Sequence, residues 1–266
     1  MSLVDIRGAT KRFATGSGGT HTAVQDISLQ VAAGEFVAVV GPTGCGKSTT
    51  LSLVSGLEPA SEGSVTVKDK PVRGIPDGVG YMFQADAMLP WRTVLANVAA
   101  GPIWRGVAKD TAHQRANEWI ERVGLAGFEQ YYMHQLSGGM RKRVALAQTL
   151  VNEPEILLMD EPFSALDVQT RALMQNELLS LWSGTNAAVI FVTHDLEEAI
   201  TLADRVVVMT ASPARIKDVF PIDLPRPRNV EEIRMTPEFI VIYKEIWQSL
   251  SSEVAIARKT GASRVA

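Results

Sequence analysis

One octapeptide decides the fold of this chain, Gly41-Pro42-Thr43-Gly44-Cys45-Gly46-Lys47-Ser48, and it directly follows an apolar run at residues 36–40. It fits the pattern G-x-x-x-x-G-K-S/T, in which a glycine-rich turn between a buried strand and a helix cradles phosphate groups. Backbone N–H groups of such a turn point into one concavity, and the helix N-terminus adds partial positive charge. The pattern predicts a nucleotide-binding turn and a helix from about Lys47 to a C-terminal cap at Gly56.

The side chains of this loop have separate expected roles. Lys47 would reach the outer phosphates as a cation, and the Ser48 hydroxyl would ligate a bound Mg²⁺. Because the backbone does the binding around Cys45, we expect this thiol to be structurally neutral, although an alkylating reagent there would obstruct the nucleotide. The alternative is a plain glycine-rich turn, which the preceding strand and following helix argue against.

Composition and charge limit the function classes. With 266 residues the chain can bury one core, with room for an inserted subdomain. Its 26 Lys and Arg against 29 Asp and Glu give a net charge of −3, whereas nucleic-acid proteins normally carry a basic face. One cysteine allows no internal disulfide, consistent with a reducing compartment. The chain has no secretory signal pattern and no apolar stretch near the roughly 18 residues of a membrane span, so we expect any membrane role to be peripheral.

Hydrophobic periodicity divides the chain into β-rich and helical parts. The first seventy residues alternate apolar and polar side chains, as at Ile27, Leu29 and Val31, and predict strands. Between about 88 and 150 the period becomes helical. An apolar stripe there, which we expect to pack inside a helical subdomain, ends at Gly124 and comprises Ala112, Ala116, Trp119, Ile120 and Val123.

Three short apolar runs after Pro154 are typical of buried parallel strands, at residues 156–159, 187–192 and 206–209. Helices expected at about 169–182 and 196–203 lie between them. This alternation predicts an α/β fold with a doubly wound parallel sheet, whose ligand lies at the carboxyl ends of the strands.

The C-terminal part is expected to be a connector and a helix. Residues 221–228 contain three prolines and predict an extended segment. Thr236-Pro237-Glu238 predicts a helix start, with threonine as the cap. Its apolar face would pack on the domain or, alternatively, serve a partner, and comprises Phe239, Ile242, Tyr243, Ile246, Trp247 and Leu250.

Two acids, Asp160 and Glu161, follow the first buried run. An acid at this place, downstream of a phosphate loop, is where an aspartate would hold Mg²⁺, and Asp160 is that candidate. Glu161 would polarise an attacking water as general base, typically a factor of about 10²–10⁴. The alternative is a pair of solvated acids where a strand passes into a loop.

A second anion cradle is predicted at Ser137, Gly138 and Gly139, just before the helical pattern of residues 141–147. Two phosphate cradles in one chain are explained if the second serves a nucleotide bound elsewhere; the alternative is an ordinary helix cap. His194 ends another buried run, alongside Asp160 in the predicted sheet, and would hold a γ-phosphate and the catalytic water. Taken alone, a histidine there would more often be a packing residue.

Together these residues resemble the ATP-binding subunit of an ATP-binding-cassette (ABC) transporter. The resemblance covers about residues 1–220, with each diagnostic motif in the family's order. The motifs are the Walker A loop at 41–49, which adds Thr49 to the ATP-binding residues, the Q-loop glutamine Gln84, the signature at 136–140, Walker B at 156–161, the D-loop Ser164-Ala165-Leu166-Asp167 and the switch histidine His194.

The resemblance implies a fold, ligands and an assembly. The implied fold is a P-loop NTPase of RecA type, with a parallel sheet core, an N-terminal antiparallel β part, an inserted helical subdomain at about 88–150, and residues 221–266 as an added connector and helix. The implied cofactors are ATP and Mg²⁺. The implied metal-binding residues are Ser48, Gln84 and Asp160, and the implied catalytic residues are Glu161, His194 and Lys47. A second ATPase subunit, expected to be identical, would close its Ser137, Gly138 and Gly139 over the ATP held by Lys47.

Two positions depart from the family pattern. Phe13 stands where an aromatic residue, commonly Tyr, stacks on adenine; stacking needs only the ring, and the alternative is a core phenylalanine. Met140 stands where most relatives carry Gln, and a thioether cannot repeat the hydrogen bonds of an amide.

A finer resemblance, carried by residues 88–94, 137–143 and 163–167, is to the nitrate/sulfonate/taurine importer group. It implies transmembrane permease subunits and an extracytoplasmic solute-binding protein as partners, no nucleic acid, and a peripheral position at the cytoplasmic face of the inner membrane. Trp91 and its apolar neighbours would line a groove for a coupling helix of the permease, and Gln84 would couple the Mg²⁺ site to that groove. Alternatively, Trp91 packs inside the helical subdomain.

The sequence therefore predicts an ATPase that powers an importer of a small anion or organic solute, such as nitrate, a sulfonate or taurine. The solute is not readable, because the cassette never touches it. One alternative is a soluble cassette ATPase acting on nucleic acid or ribosomes, but such proteins usually carry coiled-coil insertions, zinc cysteines or fused cassettes. A P-loop kinase or switch GTPase would lack the serine-glycine-glycine motif.

Overall fold

Two sheets and their flanking helices form the part of the chain that the computed structural model describes, residues 2–16, 18–85, 87–164 and 166–262. The strands are β1 Ser2–Ala14, β2 Thr20–Ala32, β3 Phe36–Val40, β4 Glu62–Val67, β5 Lys70–Pro71, β6 Val79–Met82, β7 Ile156–Asp160, β8 Ala188–Val192, β9 Arg205–Met209 and β10 Ile216–Pro221. The helices are α1 Lys47–Ser55, α2 Val94–Val98, α3 Ala100–Trp104, α4 Lys109–Arg122, α5 Gly138–Leu150, α6 Val168–Ser183, α7 Leu196–Leu202, α8 Val230–Ile233 and α9 Pro237–Ala262, with a 3₁₀ turn at Met133–Gln135.

The central sheet has the strand order β10-β9-β3-β8-β7-β6. β3 runs parallel to β8 and β9, and β7 runs parallel to β6 and β8. Because side chains alternate along a strand, the fully buried β3 packs on two apolar clusters, with Phe36 and Val40 in one and Val37 and Val39 in the other. The predicted parallel core of the α/β fold is confirmed.

The edge strand β10 was missing from the sequence prediction, which began an extended connector at Pro221. β10 runs antiparallel to β9, and its residues are half-buried or exposed, with Lys217 and Asp218 inside it. An edge strand tolerates such residues and a terminal proline, because one side of it makes no ladder bonds. The sheet is therefore parallel in its core and mixed at this edge.

The N-terminal sheet has the order β2-β1-β4-β5, with antiparallel pairs throughout. Ile27, Leu29 and Val31 on β2 enter the apolar cluster beneath the central sheet, as their alternation predicted. Helix α1 lies between the two sheets and ends at Gly56, where φ is 74° and a Cβ would stand 1.8 Å from the Gly74 carbonyl oxygen. Only glycine fits this cap.

Helices α2 to α5 lie between β6 and β7 in the chain, as the change of period predicted. In α4, Ala112, Ala116 and Ile120 are fully buried, while Trp119 is partly exposed at the border of the same cluster. The apolar cluster of these helices is continuous with α6, α7 and α9. The division at about residue 220 stays a prediction.

The C-terminal helix α9 packs on the domain. The hydroxyl of Thr236 accepts a hydrogen bond from the Phe239 N–H, which confirms the predicted cap. Phe239, Ile246 and Leu250 are buried against the core, but Trp247 is 48% exposed and so lies off the predicted packed face. In the described ranges, no helix combines the length and the apolarity that a membrane span requires.

Candidate nucleotide site

The phosphate loop joins the buried strand β3 to helix α1. Lys47, at the first turn of α1, is buried, and its Nζ donates to the carbonyl oxygens of Gly41 (2.9 Å) and Pro42 (3.1 Å). The ammonium group therefore lies across the concavity of the loop, in the position from which a lysine contacts bound phosphate as a point charge.

Gly46 permits the close packing of this loop. Its φ is 126°, outside the range of other residues, and a Cβ there would lie 2.8 Å from both the Ala23 carbonyl oxygen and the Val24 Cγ1. The loop thus packs directly on β2. Cys45 is buried, and burial raises the pKa of its thiol while the nearby Lys47 lowers it.

The predicted metal-binding pair lies together. At the carboxyl end of β7, Asp160 Oδ1 accepts a 3.0 Å hydrogen bond from the Ser48 hydroxyl. Burial raises the pKa of Asp160, and the Glu161 charge adds to this, while the Ser48 bond and the Lys47 charge oppose it.

One hydroxyl and one carboxylate are hard oxygen ligands that fit Mg²⁺, which is usually completed by water and phosphate oxygens. Throughout the described segments, three or more His, Cys, Asp and Glu side chains never cluster as a metal-binding group. The donor set of Ser48 and Asp160 thus suits an ion held jointly with a nucleotide rather than an all-protein metal site.

Two other predicted residues, Gln84 and His194, contact Glu161. Its Oε2 accepts from Gln84 Nε2 at 3.3 Å and lies 3.0 Å from His194 Nδ1. The backbone φ of Glu161 is 44°, an uncommon value for a non-glycine residue, and such strain concentrates at functional sites. The structure therefore places Gln84 and His194 on Glu161, and it places Gln84 on this carboxylate rather than on the Ser48–Asp160 pair.

A cleft of about 500 Å³ is lined by the loop and by Gln84, Glu161 and His194. At its edge lie Phe13 and its cross-strand partner His21. Phe13 is partly exposed, and Lys11 Nζ lies 4.9 Å from its ring centroid, so the residue lines the cleft rather than the core. Sequence reasoning missed His21, which the β1–β2 pairing of Phe13 would have indicated.

The serine-glycine-glycine motif faces a different cleft. Ser137 caps α5 by accepting from the Met140 N–H at 3.2 Å. With Gly138 and Gly139 it borders a second cleft of about 740 Å³, shared with Leu166 and Asp167. None of these residues lines the first cleft. The phosphate loop and the serine-glycine-glycine motif therefore border separate clefts of one chain.

The packing around the serine-glycine-glycine motif explains why Gly139 and Met140 occupy their positions. A Cβ on Gly139 would lie 2.7 Å from Thr170 Cγ2 on α6, so glycine allows the two helices to approach. Met140 is partly buried against the apolar core, where a thioether suits better than an amide. In the D-loop, Ser164 Oγ donates to the Glu161 carbonyl oxygen at 3.0 Å, and Ala165 lies outside the described residues.

Lys142 connects the motif helix to the first cleft. Its Nζ donates to the Gln84 carbonyl oxygen at 3.0 Å, although the two residues are 58 positions apart. Sequence reasoning missed Lys142, since no local pattern distinguishes it from other basic residues on α5. The contact ties the N-terminal turns of α5 to the loop that holds Gln84.

Trp91 is 72% exposed, which makes the alternative of packing inside the helical part wrong. Its loop is held from beneath by the fully buried Asn97, whose Oδ1 accepts from the Leu89 N–H at 2.8 Å. The Asn97 Nδ2 donates to the carbonyl oxygens of Leu89, Arg92 and Thr93 at 3.0–3.1 Å. A rigid loop thus presents an aromatic side chain to solvent.

Comparison with known proteins assigns the family. The sequence profile described as ABC transporter matches residues 24–164, more than half of the chain. The chain belongs to the ABC transporter family. An uncharacterised ABC transporter ATP-binding protein of Methanocaldococcus jannaschii is 48% identical over 238 residues, which are 90% of this chain and 88% of the relative.

Two further relatives have import functions in their names. The aliphatic sulfonates import ATP-binding protein SsuB of Bacillus licheniformis is 40% identical over 261 residues, 98% of this chain and 99% of the relative. The taurine import ATP-binding protein TauB of Burkholderia pseudomallei is 41% identical over 239 residues, 88% of this chain and 92% of the relative. A solved dimeric ATP-binding cassette in a post-hydrolysis state with ADP and Pi matches with a TM-score of 0.74 and 28% identity, over 84% of this chain and 100% of that chain.

The predicted family, the cassette fold and the ATPase activity are therefore confirmed. This ABC transporter subunit binds ATP and hydrolyses it. The alternatives of a cassette ATPase acting on nucleic acid or ribosomes, and of a kinase or GTPase, are not favoured. The roles of the individual site residues stay predictions.

Proposed function

We propose that this ABC transporter subunit hydrolyses ATP between two copies of the chain and thereby powers an importer. One observation carries the proposal: Glu161, at the end of β7, contacts both Gln84 and His194 beside the bonded pair Ser48 and Asp160. A base, a metal-binding pair and the Lys47 cation around one cleft are the groups that transfer of a phosphoryl group to water requires.

The mechanism follows from these contacts. Lys47 and the loop N–H groups hold the outer phosphates of ATP. Glu161 orients the attacking water and accepts its proton, because its carboxylate is aimed at the cleft by the two side chains that contact it. With its proton on Nδ1, His194 donates to the Glu161 carboxylate, and its Nε2 lone pair can accept a hydrogen bond from the attacking water. Ser48 and Asp160 would hold Mg²⁺ beside the phosphates, where the ion would supply neutralisation of the charge on the phosphate oxygens.

The cleft bordered by Ser137, Gly138 and Gly139 supports a head-to-tail dimer. Ser137 and Gly138 are exposed at the N-terminus of the 13-residue helix α5, which is a site for an anion that this chain's own cleft does not reach. In a two-fold dimer, the signature of each copy would close over the ATP on the other, and both sites would be completed at once. The matching solved cassette is dimeric.

The exposed loop around Trp91 is proposed as the contact for the transmembrane permease. Phe83, directly before Gln84, is also exposed, at 41%, and stacks on Tyr81. Aromatic side chains held on a rigid loop are the usual anchors of an interface. Because Gln84 contacts Glu161, a coupling helix that moves at this surface would displace Gln84 and, through it, the catalytic carboxylate. The subunit would thus lie peripherally at the cytoplasmic face of the inner membrane, with a solute-binding protein outside.

The solute class is proposed from the relatives. Relatives named for sulfonate and taurine import are about 40% identical over most of the chain, which supports a small anionic or organic solute. No residue of the cleft selects among a sulfonate, taurine and nitrate, because these residues face the nucleotide.

A mixing experiment tests the shared site. Lys47→Ala removes the phosphate-binding cation, and Ser137→Asp keeps a good helix cap but places a negative charge against phosphate. Each variant alone should be inactive. An equimolar mixture should recover about a quarter of the wild-type rate, since half of the dimers are mixed and each has one of its two sites intact.

If ATP is held within one chain, the mixture will be as inactive as its components, and the proposal fails. Thr236→Asp is the matched control, because Thr236 also caps a helix but lies outside both clefts. It should retain full activity alone and in mixtures.

A further inference from the structure

A network of buried polar side chains connects the segment after the central sheet, which contains Arg234, to the residues on either side of His194. Thr193, directly before His194, donates from its hydroxyl to Glu198 Oε2 at 2.7 Å. Both residues are almost completely buried. The same Thr193 hydroxyl accepts from the Asp195 N–H at 3.0 Å, so the side chain before His194 is hydrogen-bonded to the backbone after it.

Glu198 in turn is held by helix α6. Its Oε1 accepts from Gln175 Nε2 at 3.1 Å, and Gln175 is fully buried. Arg171, one turn earlier on α6, lies 3.7 Å from Glu198 and 3.3 Å from Asp195. Since a buried carboxylate without its partners is costly, these bonds hold α7 in one position against α6.

The hydrogen-bond network extends into the segment after the central sheet. Arg234, between α8 and α9, donates from Nη2 to Gln175 Oε1 at 3.1 Å and pairs with Glu197 on α7 at 3.5 Å. The Gln175 amide therefore donates to Glu198 with one end and accepts from Arg234 with the other. Arg234 fixes the orientation of this amide, because a flipped amide would turn its NH₂ group toward the guanidinium.

We propose that Arg234 is a positioning residue for His194 and acts on it through Gln175 and Glu198. The segment after the central sheet, besides packing on the domain, would then set the geometry of the catalytic site. The inference rests on the catalytic role proposed above for His194. It adds that this role depends on a residue that does not touch the cleft.

The test is a double-mutant cycle. Arg234→Ala should lower the ATPase kcat about three- to tenfold, the range expected for loss of one link in a coupled network. The Kd for ATP should stay within about twofold, because Lys47 and the loop are not contacted. In a His194→Ala background the same substitution should change kcat by less than about twofold, because the residue that it positions is gone.

Lys217→Ala is the matched control. Lys217 pairs with Glu253 at 2.8 Å and ties α9 to β10, so its loss loosens the C-terminal segment without touching Gln175. It should leave kcat unchanged. Arg234→Met, which retains most of the side-chain volume but removes the guanidinium donors, provides a second variant with the same expected loss of kcat if the alanine variant folds poorly.

A spectroscopic readout does not depend on turnover. The chain has four histidines, so the imidazole ¹⁵N signals of His194 can be assigned by comparison with His194→Gln. Arg234→Ala should shift them, and Lys217→Ala should not.

Equal losses of kcat in both backgrounds, or no loss in the wild-type background, would overturn the inference while the proposed function stands. If His194→Ala itself leaves kcat unchanged, the proposed role of His194 fails and the inference falls with it.

Discussion

Asn97→Ala is expected to destabilise the protein by about 3 kcal/mol, because this fully buried amide holds the loop that carries Trp91. The substitution removes four hydrogen bonds, but the backbone groups that made them are not all left without a partner. The Leu89 carbonyl also accepts from the Arg92 N–H, and the Thr93 carbonyl accepts from the Asn97 N–H. These two oxygens therefore stay bonded after the substitution.

The Leu89 N–H and the Arg92 carbonyl lose their Asn97 partner. An orphaned buried donor costs about 1–3 kcal/mol, and an orphaned acceptor with the small void adds about 1 kcal/mol more. ATP binding should be unchanged, since Asn97 does not line the nucleotide cleft. The loosened loop should weaken only the contact with the permease.

Urea unfolding followed by tryptophan fluorescence measures the loss, and the chain has five tryptophans. Asn152→Ala is the control, because its side chain donates one bond, to the Gln148 carbonyl, and its Oδ1 is buried without a partner. That substitution should cost less than about 1 kcal/mol. If the two variants lose equal stability, or Asn97→Ala loses less than about 1 kcal/mol, the reasoning about the loop is refuted.

Three further predictions concern the site and its surroundings. Lys47→Ala should weaken ATP binding at least about a hundredfold, as measured by titration calorimetry, and wild-type affinity would contradict the phosphate site. Glu161→Gln should lower kcat about 10²–10⁴-fold yet retain ATP, so that light scattering shows an ATP-dependent dimer; a monomer in ATP speaks against the shared site. Burial raises the pKa of Glu198, with the Thr193 bond opposing the rise and Asp195 adding to it. A carboxyl with a raised pKa holds its proton more tightly when folded, so it costs stability as pH rises above its ordinary value. The free energy of unfolding of Glu198→Gln, measured in urea, should therefore rise relative to that of wild type as the pH is raised above about 4.5, and a pH-independent difference would exclude this account.

Much of the fold was predictable because its signals are local. β3, β7 and β8 are buried at every residue, so each appears in the sequence as a short apolar run. The caps at Gly56 and Thr236 depend on residues within a few positions of the helix end. The edge strand β10 has no such signal, because its pairing with β9 depends on backbone bonds rather than on apolar side chains.

In the candidate site, too, features with a local sequence signal were predictable and contacts between distant residues were not. The residue types and spacing of the phosphate loop were enough to predict Lys47 and Ser48, since the loop binds through its own backbone. The contact of Gln84 with Glu161, which are 77 positions apart, required the adjacent parallel strands β6 and β7. His21 and Lys142 were missed because each reaches the site only through a strand pairing or a helix packing.

The sequence by itself determined the family, the ATPase chemistry and the parallel core, because glycine turns, buried strands and helix caps are properties of contiguous residues. Only the tertiary structure decided that Trp91 faces solvent and that the signature of a chain lies apart from its own phosphate loop. Only the tertiary structure joined Arg234 to Glu198 through Gln175. Solvent exposure and contacts between distant residues depend on how helices and sheets pack, and the free energy of that packing is shared among residues far apart in the chain.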